Sequence, residues 1–94
     1  MIESTHNRAV HRLKITQGQL SGLQKMIDDD AYCMDILTQS LAIQKSLSSL
    51  SKLLIQNHVI EHITPMLASS DVDMRFKATK ELLEMYELHN RRGQ

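Results

Sequence analysis

The segment AYCMDILTQSLAIQKSLSSLSKLLIQNHVIEHI, residues 31–63, runs for 33 positions without a glycine or a proline. At ~1.5 Å of rise per residue it spans roughly 48 Å as one helix. Ile36, Ile43, Leu47, Leu50 and Leu54 recur at helical spacing as one apolar stripe, which Leu37, Leu41 and Leu53 widen. Ser40, Ser46, Ser48, Ser49 and Ser51 are small enough to let neighbouring helices approach closely. A helix this long is uncommon in a 94-residue chain unless it pairs with a second copy. The stretch therefore predicts a long helix over residues 31–63 and an all-α fold.

Two shorter helices flank it. Val10, Leu13, Leu20, Leu23 and Ile27 mark a helix over about 5–27, with Gly18 and Gly22 lowering its propensity. Asp28, Asp29 and Asp30 follow, and acidic residues suit a helix N-terminus, so the second helix is expected to start near Asp30. Pro65 and Ser69-Ser70-Asp71 are expected to end it. Ser70 or Asp71 can cap a third helix over 72–89, with Phe76, Leu82, Leu83 and Tyr86 turned inward and residues 90–94 frayed. Without an internal repeat or a linker, residues 1–94 read as a single domain.

Composition narrows the function. With 41% apolar, 23% charged and 3% aromatic residues, the chain is a small globular domain with few large side chains for its core. A chain of this size buries only a little over ~60% of the surface it exposes when unfolded. One cysteine rules out an internal disulfide, which leaves oligomerisation or a bound metal as the supplement. The lone thiol, and the lack of a signal-like or ~20-residue apolar run, point to a cytoplasmic protein with no membrane partner. Net charge is zero, yet its distribution is uneven. Residues 1–25 and 36–60 carry Arg8, Arg12, Lys14, Lys25, Lys45 and Lys52 against Glu3 alone, so the first two helices can present a basic face.

His58 and His62 lie four residues apart, one turn from each other on a single helix face, where two imidazoles can converge on one metal ion. Five histidines in the chain also produce such a spacing by chance. Cys33 precedes His58 by 25 residues on the same helix, about 37 Å away if it is straight, so one chain cannot bring them together. An antiparallel pair of these helices places Cys33 of one subunit beside His58 and His62 of the other, twice per dimer. A thiolate with two imidazoles suits Cu(I) or Zn(II), while a buried inert cysteine is the competing reading. No nucleophile–base–orienter arrangement is visible, so the chain does not read as an enzyme.

HRLKITQGQLSGLQKMIDDDAYCMDIL (11–37) and NHVIEH (57–62) resemble the CsoR/RcnR/FrmR family of bacterial metal- and stress-sensing repressors. The most specific parts are QGQ after a basic first helix, DAYC at the start of the second, and NHxxxH at its end. The resemblance implies a three-helix protomer, an antiparallel dimer forming a four-helix bundle, and a dimer of dimers. It further implies a repressor that binds double-stranded operator DNA when metal-free and leaves it when metal binds. Family ligand positions fall on Met1, Cys33, His58 and His62, with His6 nearby but out of register.

Copper sensors of the family usually carry cysteine where this chain has His62. Nickel/cobalt sensors carry histidine there, and a further histidine where this chain has Met1. Sulfur-responsive members need a second cysteine, and formaldehyde-responsive ones a proline where this chain has Ile2. Three ligands that include a soft thiolate favour Cu(I), with nickel, cobalt or zinc as alternatives. Tyr32 and Glu81 resemble the copper sensors' supporting pair, with Glu84 the alternative carboxylate. Arg12 matches a basic residue implicated in operator binding, and Arg8, Lys14 and Lys52 join it as phosphate contacts. Ser49 stands where copper sensors carry an arginine, and Gln17 and Gln19 are candidate polar contacts. A helical metal-binding oligomer with no DNA role is the reading from a different class.

Overall fold

The computed structural model describes residues 1–91, all of whose regular structure is helical. Helix α1 spans Glu3–Asp28 and α2 spans Cys33–His58. A π-helical turn, Val59–Ile63, carries α2 into the short α3, Thr64–Leu67, and α4 spans Val72–Arg91. Among the described residues, no helix is long and apolar enough to cross a membrane. The chain forms two compact units, one of residues 3–54 and one of Met1–Ile2 with the chain from Ile55 onward.

In the first unit, α1 and most of α2 form an antiparallel hairpin. Thr5, Ala9 and Thr16 face inward from α1, and Ala9 meets Leu50 and Leu53 in a small apolar cluster. The Thr16 hydroxyl donates to the Arg12 carbonyl at 2.9 Å, so its burial leaves no polar group unpaired. Gln19 ties the helices together: its carbonyl accepts from Gln39 Nε2 at 3.2 Å, and its Oε1 accepts from the Ser46 hydroxyl at 2.8 Å. The acidic run closes α1 instead of opening α2. Asp30 takes a left-handed backbone with φ 52°. Ala31 N–H then donates to the Met26 carbonyl at 2.9 Å, and Asp30 N–H to the Ile27 carbonyl at 3.1 Å. This is a Schellman end with aspartate in the position glycine usually holds. The reversed φ breaks the helical path at Asp30, so α2 starts three residues later than expected. The Tyr32 carbonyl accepts its first bonds, from Asp35 and Ile36 N–H at 3.0 and 3.2 Å.

In the second unit, the helix does not stop before Pro65 but continues to Leu67. Proline lacks an N–H, and its ring excludes the carbonyl four residues back. The π turn removes the conflict: Thr64 N–H bonds the Val59 carbonyl five residues back, and Pro65 falls in the first turn of the resumed α-helix. The Asp71 carboxylate caps α4 by accepting from Asp73 N–H at 2.9 Å.

Packing on α4 departs from expectation. Phe76, Leu83 and Tyr86 are 72, 61 and 68% exposed, and Leu82 is exposed as well. The inward residue is Ala78, wholly buried, and its methyl group lets α4 lie close to the π turn, where Ile63 is 1% exposed. Helix α4 runs on through Asn90 to Arg91, and the rest of the tail expected to fray, residues 92–94, lies outside the described residues.

Candidate functional site

His58 is the last residue of α2 and His62 lies in the π turn that follows, with ring centroids 5.0 Å apart and planes tilted by 36°. His58 is half-buried, and its Nε2 is hydrogen-bonded to Oε1 of Glu81 from α4. A carboxylate at Nε2 holds the proton there and leaves Nδ1 with a free lone pair. His62 is more open, and its Nε2 stands 3.7 Å from Oε2 of Glu61, within ion-pair range but beyond a hydrogen bond. The carboxylate at Nε2 thus leaves Nδ1 of His58 for a metal ion, while Nε2 of His62 has a carboxylate near it without a hydrogen bond. Of the two candidate supports on α4, Glu81 reaches His58, and Glu84 is exposed.

Cys33 is the first residue of α2 and its thiol is exposed; Tyr32 before it is 72% exposed. Among the described residues, no three of His, Cys, Asp and Glu from the single chain cluster to hold a metal ion. The chain itself brings two imidazoles together, and Cys33 stands at the opposite end of α2 from His58.

The sequence reading assigned no role to Asn57 and Glu61, which lie immediately before the two histidines. Asn57 is 6% exposed and bonded through both its amide oxygen and its amide nitrogen: its Oδ1 accepts from Ile2 N–H at 3.0 Å, and its Nδ2 donates to Glu61 Oε2 at 2.9 Å. Glu61 Oε1 meets the Met1 amine at 3.3 Å. The hydrogen bonds from Asn57 and the amine hold the Glu61 carboxyl below its ordinary range. Their spacing was a signal, since an Asn–Glu pair repeats the four-residue step of the His–His pair one position earlier. Met1 therefore approaches Glu61, next in sequence to His62, whereas His6 is an exposed residue of α1.

The basic residues belong to the first unit. Arg8, Lys14 and Lys52 are exposed and Arg12 is half-buried. Among the described residues, none of the four has a carboxylate partner, so their charge is uncompensated. Arg8 and Arg12, one turn apart, line with Asn7, His11 and Ile15 a groove of about 460 Å³ along α1. Gln17 is exposed, whereas Gln19 spends its side-chain oxygen on Ser46.

Residues 5–88 match the family described as metal-sensitive transcriptional repressor. The copper-sensing transcriptional repressor CsoR of Bacillus subtilis is 31% identical over 81 residues, covering 86% of this chain and 77% of that protein. CsoR of Mycobacterium tuberculosis is 39% identical over 51 residues, covering 54% of this chain and 43% of that one. The copper-sensing repressor RicR of the same organism is 37% identical over 57 residues, 61% of this chain and 59% of that one. This chain thus spans less than two thirds of either mycobacterial relative.

Proposed function

Because the chain belongs to the metal-sensitive transcriptional repressor family, we propose that its metal-free form holds operator DNA and that Cu(I) releases it. The ion would be held by Cys33 of one subunit and by His58 and His62 of another. One observation carries this reading: two imidazoles stand side by side, with His58 Nε2 committed to Glu81 and Nδ1 left open. When bound, the ion supplies a soft acceptor suited to thiolate and imidazole at low coordination number. The protein's own part is orientation. Glu81 fixes the His58 ring and ties α4 to the histidine pair, so a change of ring position is felt in a second helix.

Two copies of α2 lying antiparallel would supply the thiol, since Cys33 opens that helix and His58 closes it. Met34, Leu37 and Leu41 of α2 are 58, 50 and 58% exposed on one helical stripe, an apolar surface that a second copy would cover. A homodimer is the smallest assembly with complete sites, and a dimer of dimers would repeat the basic face. Arg8, Arg12, Lys14 and Lys52 would meet phosphates there. Relatives named as copper-sensing support copper as the effector. His62 in place of a thiolate favours nickel, cobalt or zinc as the second reading.

The test is operator affinity with and without Cu(I), in the wild type and in Cys33→Ala, together with X-ray absorption of the copper-loaded protein. The expected result is weaker DNA binding on Cu(I) addition, lost in the variant, with one sulfur and two imidazole nitrogens around the ion. Unchanged affinity on Cu(I) addition overturns the copper reading. Absence of operator binding at low salt overturns the repressor reading in favour of a helical metal-binding oligomer.

A further inference from the structure

The geometry points to a latch that reports occupancy of the histidine pair to the head of α1, made of Asn57, Glu61 and the Ile2 amide. This deepens the metal-responsive reading and rests on it. Three contacts form a continuous path. His62 Nε2 stands 3.7 Å from Glu61 Oε2, that same oxygen accepts from Asn57 Nδ2 at 2.9 Å, and Asn57 Oδ1 accepts from Ile2 N–H at 3.0 Å. Ile2 is the residue immediately before α1, whose helical residues start at Glu3. Its N–H is the one a capping box normally satisfies from within the helix. Here a residue from the end of α2 takes that role, so the amide that precedes α1 is bonded to the segment that carries the candidate ligands.

The direction of the response follows from the displacement of one oxygen. Glu61 Oε2 accepts from Asn57, and His62 is too distant for a hydrogen bond, so Oε2 must move toward His62 before that ring can donate to it. A histidine that ligates through Nδ1 becomes a stronger donor at Nε2–H, and ligating histidines characteristically give that proton to a carboxylate. His62, once ligated, draws Glu61 Oε2 toward itself and away from Asn57. Asn57 is 6% exposed and cannot turn to water for a replacement partner, so its amide reorients and the bond to Ile2 opens. The π turn makes the shift accessible, because Glu61 and His62 both lie in it and its hydrogen-bond register is already unusual. Helix α1 carries Arg8 and Arg12, so loosening its first turn disturbs the residues proposed to meet DNA.

The test is backbone ¹⁵N relaxation of the Ile2 amide in the protein, metal-free and with Cu(I). Operator affinity and Cu(I) affinity by chelator competition are measured on the same samples. The expected order parameter falls from near ~0.85 to below ~0.6 on Cu(I) addition. In Asn57→Ala it is low in both states, and Glu61→Gln, which keeps a side-chain oxygen without the charge, lies between. Asn57→Ala should bind Cu(I) within about threefold of wild type, whereas Glu61→Gln, which loses the carboxylate behind His62, should bind it about 10-fold or more weakly. The factor by which Cu(I) weakens operator binding should shrink at least about fivefold, as a loss of coupling between sites. If wild type binds Cu(I) and releases DNA while the Ile2 amide stays rigid, the latch is overturned and the sensing reading stands. If coupling survives intact in Asn57→Ala, the latch is likewise overturned. If Cu(I) does not bind, or binds without weakening operator affinity, the sensing reading falls and the latch falls with it.

Discussion

At the residue scale, Glu81 does more than neutralise a neighbour. In the proposed site its bond to His58 Nε2 would select which imidazole nitrogen faces the ion, and supporting carboxylates of this kind typically contribute 10–100-fold to metal affinity. Glu81→Ala is expected to lower Cu(I) affinity by about that factor, and Glu81→Gln, which still offers an oxygen to Nε2–H, by less. Chelator competition at neutral pH measures both. Glu61 gives a pH signature of its own in the metal-free protein. Hydrogen bonds from Asn57 and the terminal amine lower its carboxyl below the ordinary value of 4.5. Its contribution is therefore fully present above that value and is lost as pH falls through the lower, folded one. The stability difference between wild type and Glu61→Gln should accordingly shrink below about pH 4.5 and be flat above it, as denaturant titrations across pH 3–6 will show. The histidines and Glu81 could be named in the sequence because ligand spacing and a matching motif mark such residues. The Asn57–Glu61–Ile2 network was not named, because one of its members is a backbone amide, which no residue pattern announces.

At the scale of elements, the ends of helices decided more than their middles. The three long helices were legible from apolar periodicity, and the cap of α4 was legible as Ser70 or Asp71 from residue type, of which the structure uses Asp71. Two junctions were not. Asp28–Asp30 reads equally well as the end of one helix or the beginning of the next, and the choice rests on the positive φ at Asp30. The π turn depends on which carbonyl the Thr64 N–H selects, and Pro65 shows only that the α-helical pattern must be broken nearby. Asp30 offers a direct test, because a side chain in the left-handed region is strained and glycine is not. Asp30→Gly should stabilise the metal-free protein by roughly 0.5–1 kcal/mol, and Asp30→Val, β-branched at the same φ, should destabilise it by more than ~1 kcal/mol. Thermal melts at a fixed protein concentration measure both. Ala78, wholly buried against the second unit's core, should tolerate no enlargement: Ala78→Leu is expected to cost about 1–3 kcal/mol.

At the scale of the whole molecule, the single chain leaves apolar residues of α2 and α4 exposed, a surface that a second copy would cover in the proposed assembly. Phe76, Leu83 and Tyr86 were read as core from their spacing. Spacing identifies an apolar face and does not say whether the same chain or another covers it. Leu37→Glu would place a charge on the stripe proposed to meet the partner's α2. It should shift the protein toward monomer in sedimentation and abolish Cu(I) binding without altering any candidate ligand.

The number of subunits that touch DNA can be read separately, from salt. Each phosphate contact adds about 0.9 to the steepness with which log affinity falls against log salt concentration. Arg8 is exposed, without a carboxylate partner, and outside the candidate metal centre. Arg8→Ala should leave Cu(I) affinity unchanged and reduce that slope by about 0.9 for each copy whose Arg8 reaches a phosphate. Two contacting copies would lower it by about 1.8, and four by about 3.6, with the loss similar on operator and unrelated DNA because phosphates carry no sequence. An unchanged slope would remove Arg8 from the interface and leave Arg12, Lys14 and Lys52 to account for the charge.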